Sequence, residues 1–273
     1  MNLLVASNAR VDGGKTTFSV GLLDYISGTG FKPRAGNDYW FDHDDYRDAI
    51  ERGRLYGKDA RRLAAASTTR LTPEDLNPIH RLWRPAPGSK KGLLDRSDRE
   101  FVVDRVGTGE AETPTYVVNG TVELPESVQT GLSLASAITV ESLTEFNDVM
   151  KRVHMRALEQ ISERIESADR AVIESYGDIA RPLTGLTTDA VAVVEPRRAR
   201  IYDGERYANA CEVASGSARE GRLETRVDRV LGLIEPRATV ELPALESETR
   251  TKPERIADTY APAYEALVTT ALG

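Results

Sequence analysis

Apolar residues fall into two patterns along the chain. Short continuous runs at residues 3–6 and 171–173 have the length expected of strands buried on both faces, and residues 189–194 and 238–242 also read as strands. Between them, apolar positions recur at helical spacing over residues 16–26, then at Val149, Val153, Leu158, Ile161 and Ile165, and again over residues 223–234 and 254–272. Strands alternating with helices predict right-handed crossovers and a mostly parallel sheet with helices on both faces, a three-layer α/β/α fold. Gly28-Thr29-Gly30 offers the residue type that tolerates left-handed dihedrals where the first helix should end, and Phe31 begins a second extended segment.

Two stretches break the alternation. Residues 69–119 carry Pro73, Pro78, Pro85, Pro87 and Pro114 with Gly88, Gly92, Gly107 and Gly109, and read as a loop-rich insertion within a single domain spanning 1–273. At its end, Asn119-Gly120 between valines predicts a type I′ hairpin turn. Residues 195–207 read as an Arg-rich hairpin turning at Asp203-Gly204, and open a divergent C-terminal part, 195–273.

Composition narrows the function classes. With 273 residues, 40% hydrophobic and 29% charged, the chain has the proportions of an ordinary globular protein. Its 36 basic and 43 acidic residues leave a net charge of −7, so neither nucleic acid nor an anionic membrane surface is an expected partner. Cys211 is the only cysteine, which excludes an internal disulfide framework, and no Cys/His spacing suggests zinc. Met1 to Ser7 lacks a basic flank and turns polar within seven positions, so neither a signal peptide nor a membrane span is expected there, and the expected location is cytoplasmic.

The chemistry concentrates at the first strand-to-helix junction. Asn8-Ala9-Arg10-Val11-Asp12-Gly13-Gly14-Lys15-Thr16-Thr17 has the setting and the Gly-Lys-Thr of a Walker A loop, with Ala9 where the first glycine usually stands. Two glycines let successive N–H groups converge on phosphate oxygens, while the helix N-terminus and Lys15 add positive charge. Asp12, Gly13, Gly14, Lys15, Thr16 and Thr17 are therefore the expected nucleotide-binding residues, and the Thr16 hydroxyl is a candidate Mg²⁺ ligand.

Further stretches carry a resemblance. Gly30-Phe31-Lys32-Pro33 and Ala35-Gly36-Asn37-Asp38-Tyr39 follow the second strand. Lys58-Asp59-Ala60 opens a helix, and Leu76-Asn77-Pro78 precedes Arg84-Pro85-Ala86-Pro87. Glu174-Ser175-Tyr176-Gly177-Asp178 leads to Pro182-Leu183, and Val240-Glu241-Leu242-Pro243 lies near the end. Together with the loop, these resemble the dethiobiotin synthetase and cobyrinate amidase branch of the P-loop proteins, over about residues 1–183. The resemblance implies ATP and Mg²⁺ as cofactors, with Thr16, Asp59 and Glu174 as metal ligands and Pro243 at the border of the adenine site. It implies Lys32 or Arg34 as the active-site cation, since two alignments offset by two residues compete, and a homodimer with its site near the interface. Glu174 also stands by itself as a candidate, being a carboxylate at the end of an apolar strand, where ligands of open α/β sheets bind.

Ser175 and Asp178 depart from the family's glycine-rich stretch, and Asp178 puts negative charge where an anionic substrate end would sit. The expected function is a Mg²⁺-dependent ATPase or ATP-dependent ligase that activates a small-molecule carboxylate or carbamate by phosphoryl transfer. A regulatory ATPase or GTPase switching a protein partner, and a nucleotide-binding module without turnover, are the alternatives. Arg197, Arg198 and Arg200 read as an anion clamp or as an exposed charged hairpin. His80 and Trp83 read as pocket-lining or as packing residues, His154 as structural.

Overall fold

The computed structural model describes residues 1–9, 13–86, 88, 91–108, 113–215 and 224–273. The chain begins with β1 (Asn2–Ala6), α1 (Lys15–Ile26), β2 (Thr29–Phe31), β3 (Arg34–Asp38), α2 (His43–Ile50), α3 (Lys58–Ala66) and α4 (Pro73–Leu76). It continues through β4 (Ile79–Pro85), β5 (Arg99–Val106), β6 (Thr115–Asn119), α5 (Glu126–Gly131), β7 (Ile138–Val140) and α6 (Leu143–Val149). A π-helical turn, Met150–His154, joins α6 to α7 (Met155–Ser167). The last part holds β8 (Ala171–Glu174), β9 (Ala190–Glu195), β10 (Arg198–Asp203), α8 (Gly204–Ala214), α9 (Val227–Leu231), β11 (Ala238–Glu241) and α10 (Pro253–Leu272). The fold is α/β with mixed sheets, arranged as two compact units.

The first unit comprises Met1–Pro33, Arg62–Arg70 and Ser162–Gly273, and its six-stranded sheet has the order β11-β10-β9-β1-β8-β2. The apolar runs account for the middle of it. Leu3 to Ala6, Ala171 to Ile173 and Ala190 to Val194 are buried on both faces. The four strands β9, β1, β8 and β2 are parallel, while β10 and β11 run antiparallel at one end, so the sheet is less uniformly parallel than the sequence implies. Helix α1 packs against β8 and against α10, where Phe18 meets Tyr264 edge-on at 4.8 Å and the Tyr264 hydroxyl donates to the Phe18 carbonyl at 2.9 Å. Helix α1 ends on Ser27 in the left-handed region, φ 51°, and not on Gly28.

The hairpin at 195 turns at Pro196-Arg197, with Arg197 at φ 71°, and not at Asp203-Gly204. Asp203 instead caps α8, its carboxylate accepting the Arg206 N–H at 2.9 Å, because an Asp-Gly pair serves a helix start as readily as a turn. The helix expected over 223–234 is the single turn-and-a-half of α9; residue 223 lies outside the described residues.

The second unit comprises Arg34–Arg61 and Leu71–Ile161, with a five-stranded sheet of order β3-β4-β5-β6-β7. The stretch expected to be a loop-rich insertion contributes its three middle strands. Pro78, Pro85 and Pro114 sit at strand ends and Pro73 at the first turn of α4, positions that need no ladder N–H, so these prolines mark boundaries and not absence of strand; Pro87 lies outside the described residues. Asn119 does not open a hairpin: its carboxamide oxygen accepts the Thr121 N–H at 3.0 Å, and β6 runs parallel to β7. Tyr46, Ile50, Leu55, Leu82, Val102, Val103, Val118 and Val128 form the core. Among the described residues no helix is long and apolar enough to cross a membrane.

Candidate functional site

Parallel strands end on one edge of a sheet, so the segments that follow β9, β1, β8 and β2 emerge side by side. Strand β8 lies between β1 and β2, which places its last residue, Glu174, between the loop after β1 and the segment after β2. Four residues singled out in the sequence meet at this edge.

Helix α1 begins directly after Gly14, whose φ of 79° favours glycine, and its first intrahelical bond is Phe18 N–H to the Gly14 carbonyl at 3.0 Å. The N–H groups of Lys15, Thr16 and Thr17 thus have no acceptor within the helix and give its N-terminus partial positive charge. Gly13 lies so close to Ser7 that a Cβ there would stand 2.3 Å from Ser7 Oγ; the same Oγ accepts the Ala9 N–H at 3.1 Å. Ser7 therefore bonds to the start of the loop and packs closely against Gly13 at its end. Arg10, Val11 and Asp12 lie outside the described residues, and with them the expected role of Asp12.

The side chains of the first helical turn point into the sheet edge. Lys15, only 9% exposed, donates its ammonium to the Gly177 carbonyl at 2.8 Å. The Thr16 hydroxyl donates to Glu174 Oε1 at 2.9 Å, and Lys32 Nζ reaches the same oxygen at 2.5 Å. Glu174 is fully buried and Lys32 nearly so, at 5% exposure, which makes Lys32 the carboxylate's counter-charge in a medium where an unpaired ion is costly. Glu174 Oε2 has no hydrogen-bond partner among the described residues.

The loop after β8 is anchored from two sides. Ser175 N–H donates to the Val5 carbonyl at 2.9 Å and its hydroxyl to the Ile179 carbonyl at 2.7 Å. Residues 224–227 then fasten it further: Ala180 N–H to Thr225 O and Val227 N–H to Asp178 O, both at 2.8 Å, and Tyr176 OH to the Glu224 carboxylate. The negative charge expected of Asp178 is matched by Arg226, 3.3 Å away. Neither the Gly177 seat for Lys15 nor this Asp178–Arg226 pair was visible in the sequence, because each joins residues far apart along the chain, 162 positions in the case of Lys15 and Gly177.

The remaining candidates are placed elsewhere. Arg34 opens β3 and Asp59 stands in the first turn of α3, both in the second unit. Pro243 follows β11, three strands from β1 in the sheet order, and its carbonyl takes the Tyr260 hydroxyl at 3.3 Å. The Arg-rich hairpin is largely self-paired: Arg198 and Arg200 hold the two oxygens of Glu195 at 2.7 and 2.8 Å, and exposed Arg197 faces Glu241 at 3.3 Å. Glu195, Arg197, Arg198 and Glu241, with Asn8 and Thr239, line an open groove of about 620 Å³. His80 is buried and bonded to the Asn77 carboxamide at 3.2 Å, and Trp83 is stacked by Arg81, Arg96 and Arg99, so both act in packing.

Whether the cluster suits a metal depends on its donors. Among the described residues no group of three or more His, Cys, Asp or Glu gathers. Thr16 and Glu174 nonetheless offer adjacent hard oxygens, one of them an unpartnered buried carboxylate oxygen, which fits Mg²⁺ completed by water and phosphate and does not fit a soft metal. A comparison of the chain with protein-family models finds no match, and a search of curated proteins finds none either.

Proposed function

We propose that the first unit binds a nucleoside triphosphate with Mg²⁺, ATP being the nucleotide implied by the resemblance, and transfers its γ-phosphoryl group to a small carboxylate or carbamate, as dethiobiotin synthetase-like enzymes do. The observation that carries this reading is the convergence of Lys15, Thr16 and Lys32 on Glu174 and Gly177 at the carboxyl edge of four parallel strands. A structural ion pair alone would explain Lys32 with Glu174. It would not explain a second ammonium, a hydroxyl and a helix N-terminus at the same place.

In this reading the N–H groups of the first turn of α1 grip the phosphates, and Lys15 moves its ammonium from the Gly177 carbonyl to a phosphate oxygen, a short swing for a flexible side chain. Thr16 and Glu174 hold the Mg²⁺, which when bound neutralises charge on the phosphates. Lys32 orients the acceptor. No protein nucleophile is required, since positioning and electrostatics supply the catalysis of phosphoryl transfer. Arg34 and Asp59 belong to the second unit, and these roles fall to residues of the first.

Thermal stabilisation measured across ATP, GTP and their nonhydrolysable analogues, with and without Mg²⁺, tests the proposal, because a ligand held only by the folded state raises stability by mass action. ATP with Mg²⁺ should raise the melting temperature, and Glu174→Gln should remove the Mg²⁺-dependent part while keeping the nucleotide-dependent part. No stabilisation by any nucleotide would overturn the reading.

A further inference from the structure

Glu174 Oε1 accepts two donors at once, the Lys32 ammonium at 2.5 Å and the Thr16 hydroxyl at 2.9 Å. Both Glu174 and Lys32 are buried, so their charges are poorly screened and each depends on the other. A divalent cation held between Thr16 and Glu174 would have to sit next to the ammonium, and the Thr16 oxygen can ligate a metal only if its hydroxyl proton turns away from Oε1. Two cations crowded on one buried carboxylate repel strongly.

We infer that Lys32 and Mg²⁺ are alternative counter-ions of Glu174, so that metal entry expels the Lys32 ammonium from Oε1 and turns it out towards the reacting groups. This rests on the metal reading of Thr16 and Glu174 given above and goes beyond it. The same residue that neutralises the carboxylate becomes a mobile cation only when the metal is present, which couples metal loading to delivery of positive charge. Lys15 is not part of the exchange, as its seat is the Gly177 carbonyl and not Glu174.

Lysine chemistry offers a direct readout on the unmodified protein. The chain has seven lysines, at 15, 32, 58, 90, 91, 151 and 252, each separable by peptide mass spectrometry. Reductive methylation in rising Mn²⁺, with and without a nonhydrolysable ATP analogue, should leave the exposed Lys91 and Lys151 unchanged as internal standards. Lys32 should pass from protected to reactive as the metal binds. A Lys32 that stays protected at saturating Mn²⁺, with Mn²⁺ bound by electron paramagnetic resonance, overturns the exchange.

The affinity arm uses Lys32→Gln, which removes the charge and leaves a polar amide in its place. It should bind Mn²⁺ roughly tenfold or more tightly than the unmodified protein. Equal or weaker binding overturns the inference and would mean that Lys32 orients the carboxylate for the metal. Absence of Mn²⁺ binding in both proteins, with ATP present, removes the metal reading itself, and with it the exchange. Absence of nucleotide binding while Mn²⁺ still expels Lys32 would overturn only the nucleotide reading.

Discussion

Each unit of the protein buries a charged cluster, and the two are built differently. In the second unit, Asp104 is fully buried with both oxygens engaged: Arg81 holds it through Nε and Nη2 at 2.6 Å each, and His154 Nε2 joins at 2.8 Å. The Arg81 guanidinium lies over the rings of Trp83, Phe101 and Phe146 at 5.0 to 5.1 Å. In the first unit, one Glu174 oxygen carries two donors, the other carries none among the described residues, and Lys15 rests on a main-chain carbonyl. Burial of charge is thus common to both. What separates them is that the Asp104 carboxylate is saturated and enclosed by aromatic rings, whereas the Glu174 cluster keeps unspent acceptor capacity at the edge of a parallel sheet.

The sharpest way to break this comparison is to unpair the saturated cluster. Asp104→Asn leaves the Arg81 charge and His154 without their carboxylate, and breaking a buried ion pair in this way costs roughly 3–5 kcal/mol. Both tryptophans, Trp40 and Trp83, belong to the second unit, so urea unfolding followed by tryptophan fluorescence reports on it directly. A midpoint shifted by less than a quarter of that amount would mean that Asp104 is no more structural than Glu174.

The first cluster should fail differently. Lys15→Ala removes the ammonium that rests on the Gly177 carbonyl beside the helix N-terminus, so its large effect is on ligand response. At a nucleotide concentration near 100 times the dissociation constant, the unmodified protein gains about 2.7 kcal/mol of stability, and the variant should gain none. An undiminished shift in the variant would remove Lys15 from the phosphate site.

Acid distinguishes the clusters next. Burial alone pushes the Asp104 carboxyl up, but the Arg81 guanidinium beside it, with His154, outweighs burial and holds the carboxyl down at about 2, from an ordinary value of 3.8. A depressed carboxylate contributes its full stabilisation above the unfolded value and loses it as pH falls through the folded one. Fluorescence-detected stability should therefore drop by about 2 kcal/mol between roughly pH 4 and pH 2, and that component should vanish in Asp104→Asn. The same slope in the variant would assign acid sensitivity to other carboxylates.

Much of the first unit was legible because buried parallel strands write themselves as continuous apolar runs: Leu3 to Ala6, Ala171 to Ile173 and Ala190 to Val194 all fall where the pattern places them. Glu174 was legible for the same reason, since a polar residue at the end of such a run is delivered to the sheet edge, whereas Lys15 and Thr16 were singled out by the Gly-Lys-Thr pattern after β1, and Lys32, in competition with Arg34, only by the resemblance. The second unit was obscured. Its strands β4 and β5 carry buried polar residues such as His80, Asp104 and Arg105, which interrupt the apolar pattern, and the prolines between them read as loop. Asp104 did leave one trace, an acid inside Phe101-Val102-Val103-Asp104-Arg105-Val106, but its partners Arg81 and His154 lie 23 and 50 residues away. Pairing at such distances has no local signature.

The smallest effect concerns a site where the sequence offered two local structures. Asp203-Gly204 suits a hairpin turn, yet Asp203 is the N-cap of α8, with its Oδ1 on the Arg206 N–H at 2.9 Å. A cap and a turn respond differently to the same changes. Asp203→Ala should cost about 1 kcal/mol, the usual loss for an N-cap, while Asp203→Asn should cost a few tenths because Asn caps nearly as well. The loss should appear in the far-ultraviolet circular dichroism melt and leave the tryptophan-detected urea midpoint of the second unit in place. Because Glu205 stays in the first turn of α8 in both variants, the helix-dipole contribution there is largely conserved, and the difference between Ala and Asn isolates the side-chain hydrogen bond. Equal losses for the two substitutions would mean that the cap bond contributes nothing.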